Sequence, residues 1–324
     1  MKAILCRELG GPERLELADI PEPAPGEGEV RIKVSVAGLN FFDTLMLAGK
    51  YQFRPPLPFS PGAECAGMIE ALGRGVTGWR IGERVASFPG FNCCREQVVV
   101  RADRLLAVPE GIGDEQAAGL IVTYGTSLHA LKDRARLEPG ETLAVLGAAG
   151  GVGLAAVEIG RAMGARVIAC ASSQEKLALA REHGAEMTLD YAREDLKEGL
   201  RRLTEGKGVD VIYDPVGGDL SEAALRAVAW QGRFLVVGFA AGSIPKMPLN
   251  LVLLKGCDIR GVFWGSFVER DMEAHRANMA RVFSWTLEKR LSAHVDAVFE
   301  LADTAAALGV IARREAKGKV LVRV

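Results

Sequence analysis

The run Gly147-Ala148-Ala149-Gly150-Gly151-Val152-Gly153 has the composition of a phosphate cradle. It follows the apolar stretch Leu143-Ala144-Val145-Leu146, too short for a helix, and precedes a helical pattern that reaches Met163. Within it, Gly151-Val152-Gly153-Leu154-Ala155-Ala156 matches G-x-G-x-x-G/A with Ala in the last place. Between a strand and a helix, such glycines let backbone approach a pyrophosphate, and the unpaired N–H groups of the helix start attract the anion. A second run, Gly73-Arg74-Gly75-Val76-Thr77-Gly78, fits the same pattern. It leads into Trp79-Arg80-Ile81-Gly82-Glu83-Arg84, which has no helical periodicity, and is read as a turn between strands.

The next residues bear on which dinucleotide fits. An NAD site places Asp or Glu at the end of the second strand, on the ribose hydroxyls. Here that strand ends Ala169-Cys170-Ala171-Ser172-Ser173, without an acid. Lys176 lies one turn into the following helix, and Tyr191 follows the third strand. Small hydroxyls and a cation suit a 2′-phosphate, which a carboxylate would repel. The expected cofactor is NADPH.

Metal ligation has little support. The four histidines, His129, His183, His275 and His294, pair with no Cys or carboxylate at ligand spacing. Of six cysteines only Cys93-Cys94 are clustered, and adjacent thiols do not converge on a tetrahedron. Buried, reduced thiols acting as small hydrophobes are expected. Lys+Arg 40 against Asp+Glu 41 argues against a general nucleic-acid binder, which needs a basic surface. Charges close to the N-terminus and an uncharged stretch too short to span a bilayer predict a cytoplasmic protein with no membrane role.

The elements that position these residues differ along the chain. The first ~120 residues are β-rich and punctuated by Gly and Pro; Val30 to Val36 alternates as a half-buried strand should. From Leu143 short apolar runs alternate with helical patterns up to Cys257–Val262, the signature of a doubly wound parallel sheet. The tail holds an amphipathic helix over 272–289, a strand over 297–301, a further helix and a final strand over 318–324. It has no core of its own, so it is expected to return to the β-rich part. The predicted division is 1–122 and 266–324 for a discontinuous β-rich domain, with 123–265 as the Rossmann nucleotide-binding domain. The apolar segment Leu249 to Val262 ends the βαβ series on an exposed edge, which predicts a homodimer.

Over essentially its whole length the chain resembles the zinc-independent, zeta-crystallin-like quinone oxidoreductases of the medium-chain dehydrogenase/reductase superfamily. The resemblance rests on Gly38-Leu39-Asn40-Phe41-Phe42-Asp43, the segment Leu57 to Glu64, Thr123-Tyr124-Gly125-Thr126, the glycine run, and Gly318-Lys319-Val320. Zinc-dependent relatives carry a Cys and a His where this chain has Asn40 and Ala63. The resemblance implies a GroES-like catalytic domain around the Rossmann domain, with the active site in the cleft between them. It implies that Asn40 and Thr123 meet the nicotinamide end and that Ala149, Gly150, Gly151, Val152 and Gly153 hold the pyrophosphate. Phe239, Phe263, Trp264 and Gly265 would line the nicotinamide pocket, and Ser172, Lys176, Tyr191 and Arg314 would surround the 2′-phosphate. Relatives that reduce enoyl thioesters carry a Tyr where this chain has Tyr51, in Gly49-Lys50-Tyr51; some quinone reductases carry a Tyr where it has Leu45. Tyr51 and Asn40 are the candidate catalytic residues. The expected activity is metal-independent hydride transfer from NADPH to a quinone or an α,β-unsaturated carbonyl. An enoyl-thioester reductase and a non-catalytic NADPH-binding relative remain as alternatives.

Overall fold

The computed structural model describes all residues, Met1–Val324. The chain forms two compact units: Met1–Val122 with Ala293–Val324, and Thr123–Ser292. No helix is long and apolar enough to cross a membrane.

The second unit is built on six parallel strands in the spatial order Met187–Asp190, Arg166–Ala171, Thr142–Leu146, Val209–Asp214, Val228–Val236, Asp258–Gly261. In the unit's own numbering this is 3-2-1-4-5-6, the Rossmann order. All five residues of Thr142–Leu146 are buried, as a strand covered on both faces requires. Ala144, Leu146, Ile168, Cys170, Ile212 and Phe234 belong to one core cluster of this unit. The order reverses between Thr142–Leu146 and Val209–Asp214, and ligands of such sheets bind outside the carboxyl ends of the strands at that point.

The tail corrects the expected division. Chain return occurs at Ala293, not at residue 266, and the helices Trp264–Arg270 and Met272–Leu287 belong to the nucleotide unit. The reason is polar as well as apolar. Asn278 Nδ2 donates to Asp133 Oδ2 at 2.8 Å, and Lys132 Nζ donates to Asn278 Oδ1 at 3.0 Å. Phe267 stacks on His129 with centroids 3.9 Å apart.

In the first unit the central strand Glu29–Leu39 pairs antiparallel with Glu64–Leu72, with Gln97–Arg101 and with the terminal strand Lys319–Arg323. Val30, Ile32, Val34 and Val36 face the core. The register sets Val320 opposite Leu39, which brings Lys319 to the start of the helix Phe41–Leu47. The Gly73–Gly78 run is a turn: Gly75 and Gly78 have φ of +78° and +81°, and the Arg74 carbonyl accepts from Gly28 N–H at 2.9 Å. All six cysteines are free and buried.

Candidate active site

The strand Thr142–Leu146 ends at Gly147, whose φ is +60° and where a Cβ would lie 2.9 Å from Val216 Cγ2. Gly150 is the N-cap of the helix Gly151–Ala162 and supplies no side-chain cap. The Leu154 N–H makes the first helical bond, to Gly150 O at 2.8 Å. The N–H groups of Gly151, Val152 and Gly153 are therefore the orphan donors of that turn. A Cβ on Gly153 would lie 2.2 Å from Gly147 O, so only glycine lets the helix close on the turn. The arrangement fits a dinucleotide pyrophosphate: open donors, a helix dipole, and no side chain in the way.

Beside it, Arg166–Ala171 ends without an acid. Ser173 caps the next helix, accepting from Lys176 N–H at 3.3 Å, while the exposed Ser172 takes no part in that cap. Tyr191 N–H donates to Ala171 O at 3.1 Å, so Tyr191 adjoins the end of the same strand. Ser172, Lys176 and Tyr191 are thus brought together around one strand end. The sequence reading missed Asp190, a buried carboxylate on the adjacent strand. Gln174 Nε2 donates to it at 3.0 Å, Ala192 N–H at 3.1 Å, and Arg193 lies 3.6 Å away. Those partners offset the charge of this acid near the expected phosphate.

In the first unit Asn40 is held at both ends of its amide. Asn40 Nδ2 donates to Glu64 Oε1 at 2.8 Å, and Lys319 Nζ donates to Asn40 Oδ1 at 2.8 Å. Lys319 also donates to Leu39 O at 2.9 Å and pairs with Glu64 Oε1. Glu64 Oε2 accepts from Val122 N–H at 2.6 Å. Glu64 and Lys319 are 0 % and 4 % exposed, so the pair is a true interior ion pair. Gly38 makes room for it, since a Cβ there would meet Glu64 Cγ at 2.6 Å. Asp43 completes the capping box of the helix Phe41–Leu47, accepting from Asn40 N–H at 2.7 Å and from Gly62 N–H at 3.1 Å. Burial pushes its carboxyl up to about 7, against those two bonds and the nearby Lys319.

Tyr51 follows the exit of that helix. Gly49, with φ of +67°, donates to Met46 O and Lys50 to Leu45 O, a Schellman turn. Tyr51 then stacks on Phe42 with centroids 5.3 Å apart. Burial, and secondarily Asp43, raise its pKa, so it keeps its proton. Arg314 belongs to this unit too, two residues past the helix Thr304–Ala312. In the nucleotide unit, Thr123 is buried, and Trp264 packs against Gly125, where a Cβ would lie 2.9 Å from the indole. Phe239 covers the turn at Gly217 in the same way, whereas Phe263 is largely exposed.

The expected zinc-ligand places hold Asn40 and Ala63, and no group of three or more His, Cys, Asp or Glu could hold a metal ion. Residues 26–132 match the family described as alcohol dehydrogenase GroES-like domain, and 151–281 match zinc-binding dehydrogenase. Quinone oxidoreductase-like protein 2 of Bos taurus is 39% identical over 322 residues, covering 99% of this chain and 92% of that protein. A quinone oxidoreductase of Pseudomonas aeruginosa is 35% identical, covering 99% of each. The structure of Escherichia coli quinone oxidoreductase complexed with NADPH superimposes with a TM-score of 0.94 at 28% identity, covering 100% of each chain. Fold and glycine turn thus define a medium-chain dehydrogenase/reductase, and the chain belongs to the zeta-crystallin-like quinone oxidoreductase family of that superfamily.

Removing one member of the Glu64–Lys319 pair leaves a buried charge uncompensated, at a cost of about 3–5 kcal/mol. Lys319→Met is expected to lose that much stability in urea unfolding. Glu64→Gln combined with Lys319→Met should lose less than the sum of the single losses. Strict additivity would show that the pair does not act as a unit.

Proposed function

We propose that the protein is an NADPH-dependent, metal-independent reductase that delivers hydride to a quinone or an α,β-unsaturated carbonyl. The observation that carries this reading is the uncapped glycine helix start at the sheet's switch point, beside a strand end with no acid. In the proposal Ala149 to Gly153 hold the pyrophosphate, and Ser172, Lys176, Tyr191 and Arg314 hold the 2′-phosphate. The fold shared with relatives solved in complex with NADPH supports the same choice.

When bound, NADPH supplies the hydride. The side chains supply position and polarity. Asn40 has one amide N–H left after Glu64 takes the other, and it is proposed to meet the nicotinamide end together with Thr123. Phe239 and the Phe263–Gly265 segment are proposed to wall the pocket and exclude water. Tyr51, kept protonated, is proposed to donate the proton that an enone carbon needs after hydride addition. A reduced quinone takes its protons on oxygen and can draw them from water. A cytoplasmic location accords with six free thiols.

Steady NADPH oxidation with an ortho-quinone such as phenanthrenequinone is the deciding assay, and chelator should leave it unchanged. Lys176→Ala should weaken NADPH by about 10- to 150-fold, the worth of one charge-assisted contact, and weaken NADH far less. Equal wild-type affinity for both cofactors would sink the 2′-phosphate assignment. NADPH binding without oxidation by quinones, enones or enoyl thioesters would make the protein a non-catalytic relative.

Tyr51→Phe should slow single-turnover reduction of an enone by ~10²–10⁴-fold and slow a quinone much less, because only carbon requires a positioned acid. NADPH affinity should stay near wild type. An enone rate that falls by less than about threefold would reduce Tyr51 to a packing partner of Phe42.

A homodimer is proposed through the edge strand Asp258–Gly261 and the helix Leu249–Lys255. Trp230, Leu249 and Leu253 are 69%, 74% and 80% exposed around that edge. Exposed apolar edges are normally paired or covered, most often by a two-fold copy. Light scattering at micromolar concentration should give a dimer mass for wild type and a monomer mass for Leu253→Glu. A monomeric wild type would refute the interface.

A further inference from the structure

One buried carboxylate has no part in the reading above. Glu158 lies midway along the dinucleotide helix Gly151–Ala162 and is 3% exposed. It accepts from Tyr124 Oη at 2.7 Å, Ser292 N–H at 3.0 Å and Ser292 Oγ at 2.5 Å, and His183 Nδ1 lies 2.5 Å away. A carboxylate offers about four lone-pair sites, so its capacity is filled. Burial pushes its pKa up, but the bonds from His183, Ser292 and Tyr124 outweigh that and hold it below the ordinary range.

Tyr124 and Ser292 stand where the chain passes between the units. It enters the nucleotide unit at Thr123 and leaves it at Ser292. The incoming helix Asp114–Leu128 has a second tie to the dinucleotide helix: Ser127 Oγ donates to Val152 O at 2.9 Å. The rungs Tyr124–Glu158 and Ser127–Val152 run in opposite senses along the two helices. Together they fix both slide and rotation of residues 123–127 against the pyrophosphate turn, which neither does alone.

The outgoing segment is held to the same helix. Arg290 Nη2 donates to Ala162 O, the helix's last residue, at 2.5 Å. Ala293 has φ of +53°, in the left-handed region that a residue other than glycine seldom adopts unless its neighbours over-determine it. The two bonds from Ser292 to Glu158 immediately precede it.

We propose that Glu158 is a positioning residue: through Tyr124 it sets Thr123 at the nicotinamide end of the cofactor whose pyrophosphate the same helix holds. The proposal rests on the NADPH reading but not on the identity of the substrate. Its variants are Glu158→Gln, which turns an NH₂ toward donors, and the milder Tyr124→Phe, which removes one donor.

The first readout is the nicotinamide fluorescence of bound NADPH. In both variants it should move toward that of free NADPH, while the affinity, set by the unchanged glycine turn, stays near wild type. With any productive acceptor, single-turnover hydride transfer should fall by about 10- to 100-fold, the cost of roughly 1 Å of misplacement. Tyr124→Phe should add little in the Glu158→Gln background. Unchanged bound-NADPH fluorescence in both variants, even with lowered melting temperatures, would show that Glu158 only braces the fold. A wild type that binds NADPH but reduces nothing would overturn the reductase reading and leave the fluorescence test of Glu158 intact. A wild type that does not bind NADPH would overturn both.

Discussion

A fully buried carboxylate must find partners, and the partners found by Glu64 organise the β-rich unit. Its charge is met by Lys319, which lies in the last strand of the chain. The ammonium spends its three donors on Glu64, Asn40 Oδ1 and Leu39 O, so none is left over. This fixes the Asn40 amide without ambiguity: a flip would set its NH₂ against an ammonium and its oxygen against a carboxylate. One amide N–H therefore lies outside these bonds, in a direction dictated by residues 24 and 279 positions away in sequence. The same carboxylate takes the Val122 N–H, the residue before Thr123. Neither end of the chain can assemble this cluster alone, which gives the discontinuous unit a physical reason to exist.

Two helix starts in the protein are treated in opposite ways, and the contrast separates structural from ligand-directed chemistry. The helix Phe41–Leu47 is closed by a capping box, with Asn40 as N-cap and Asp43 reaching back to the Asn40 N–H. Its dipole end is already occupied by a carboxylate and is not available to an anion. The helix Gly151–Ala162 has glycine at the N-cap and nothing in place of a cap. An uncapped helix start costs about 1 kcal/mol relative to Ser or Asp in peptide and protein measurements, though glycine loses only a few tenths. The small sacrifice leaves donors free for a phosphate.

The sequence made the second of these starts legible and the first only partly so. Glycines between an apolar run and a helical pattern are local signals, and the alternation of short apolar runs with helical patterns predicted the doubly wound parallel sheet, though not its strand order. Asn40 and Tyr51 were singled out through resemblance, but their surroundings were not, because Lys319, Glu64 and Gly38 come together only through sheet register. Asp190 escaped notice because the ribose acid is sought at the end of the second strand, and the neighbouring strand is not inspected. Glu158 was invisible for a different reason: on a helix pattern it reads as a polar residue, and its partners Tyr124, His183 and Ser292 are distant in sequence.

The misplaced division at residue 265 shows where amphipathicity stops being informative. A stripe such as Met279, Val282 and Phe283 says that one face of the helix Met272–Leu287 is buried, not what buries it. The answer lies in polar pairing. Asn278 satisfies both ends of its amide against Asp133 and Lys132, and His275 on the same buried face packs edge-on against Trp264 of the nucleotide unit, with ring centroids 5.4 Å apart. Apolar surface would accept either unit, since it is non-directional. A buried amide accepts only the surface that returns its hydrogen bonds, because leaving them unmade costs about 1–3 kcal/mol per group. The helix therefore stays with the nucleotide unit, and the chain crosses back only after Ser292 has been tied to Glu158.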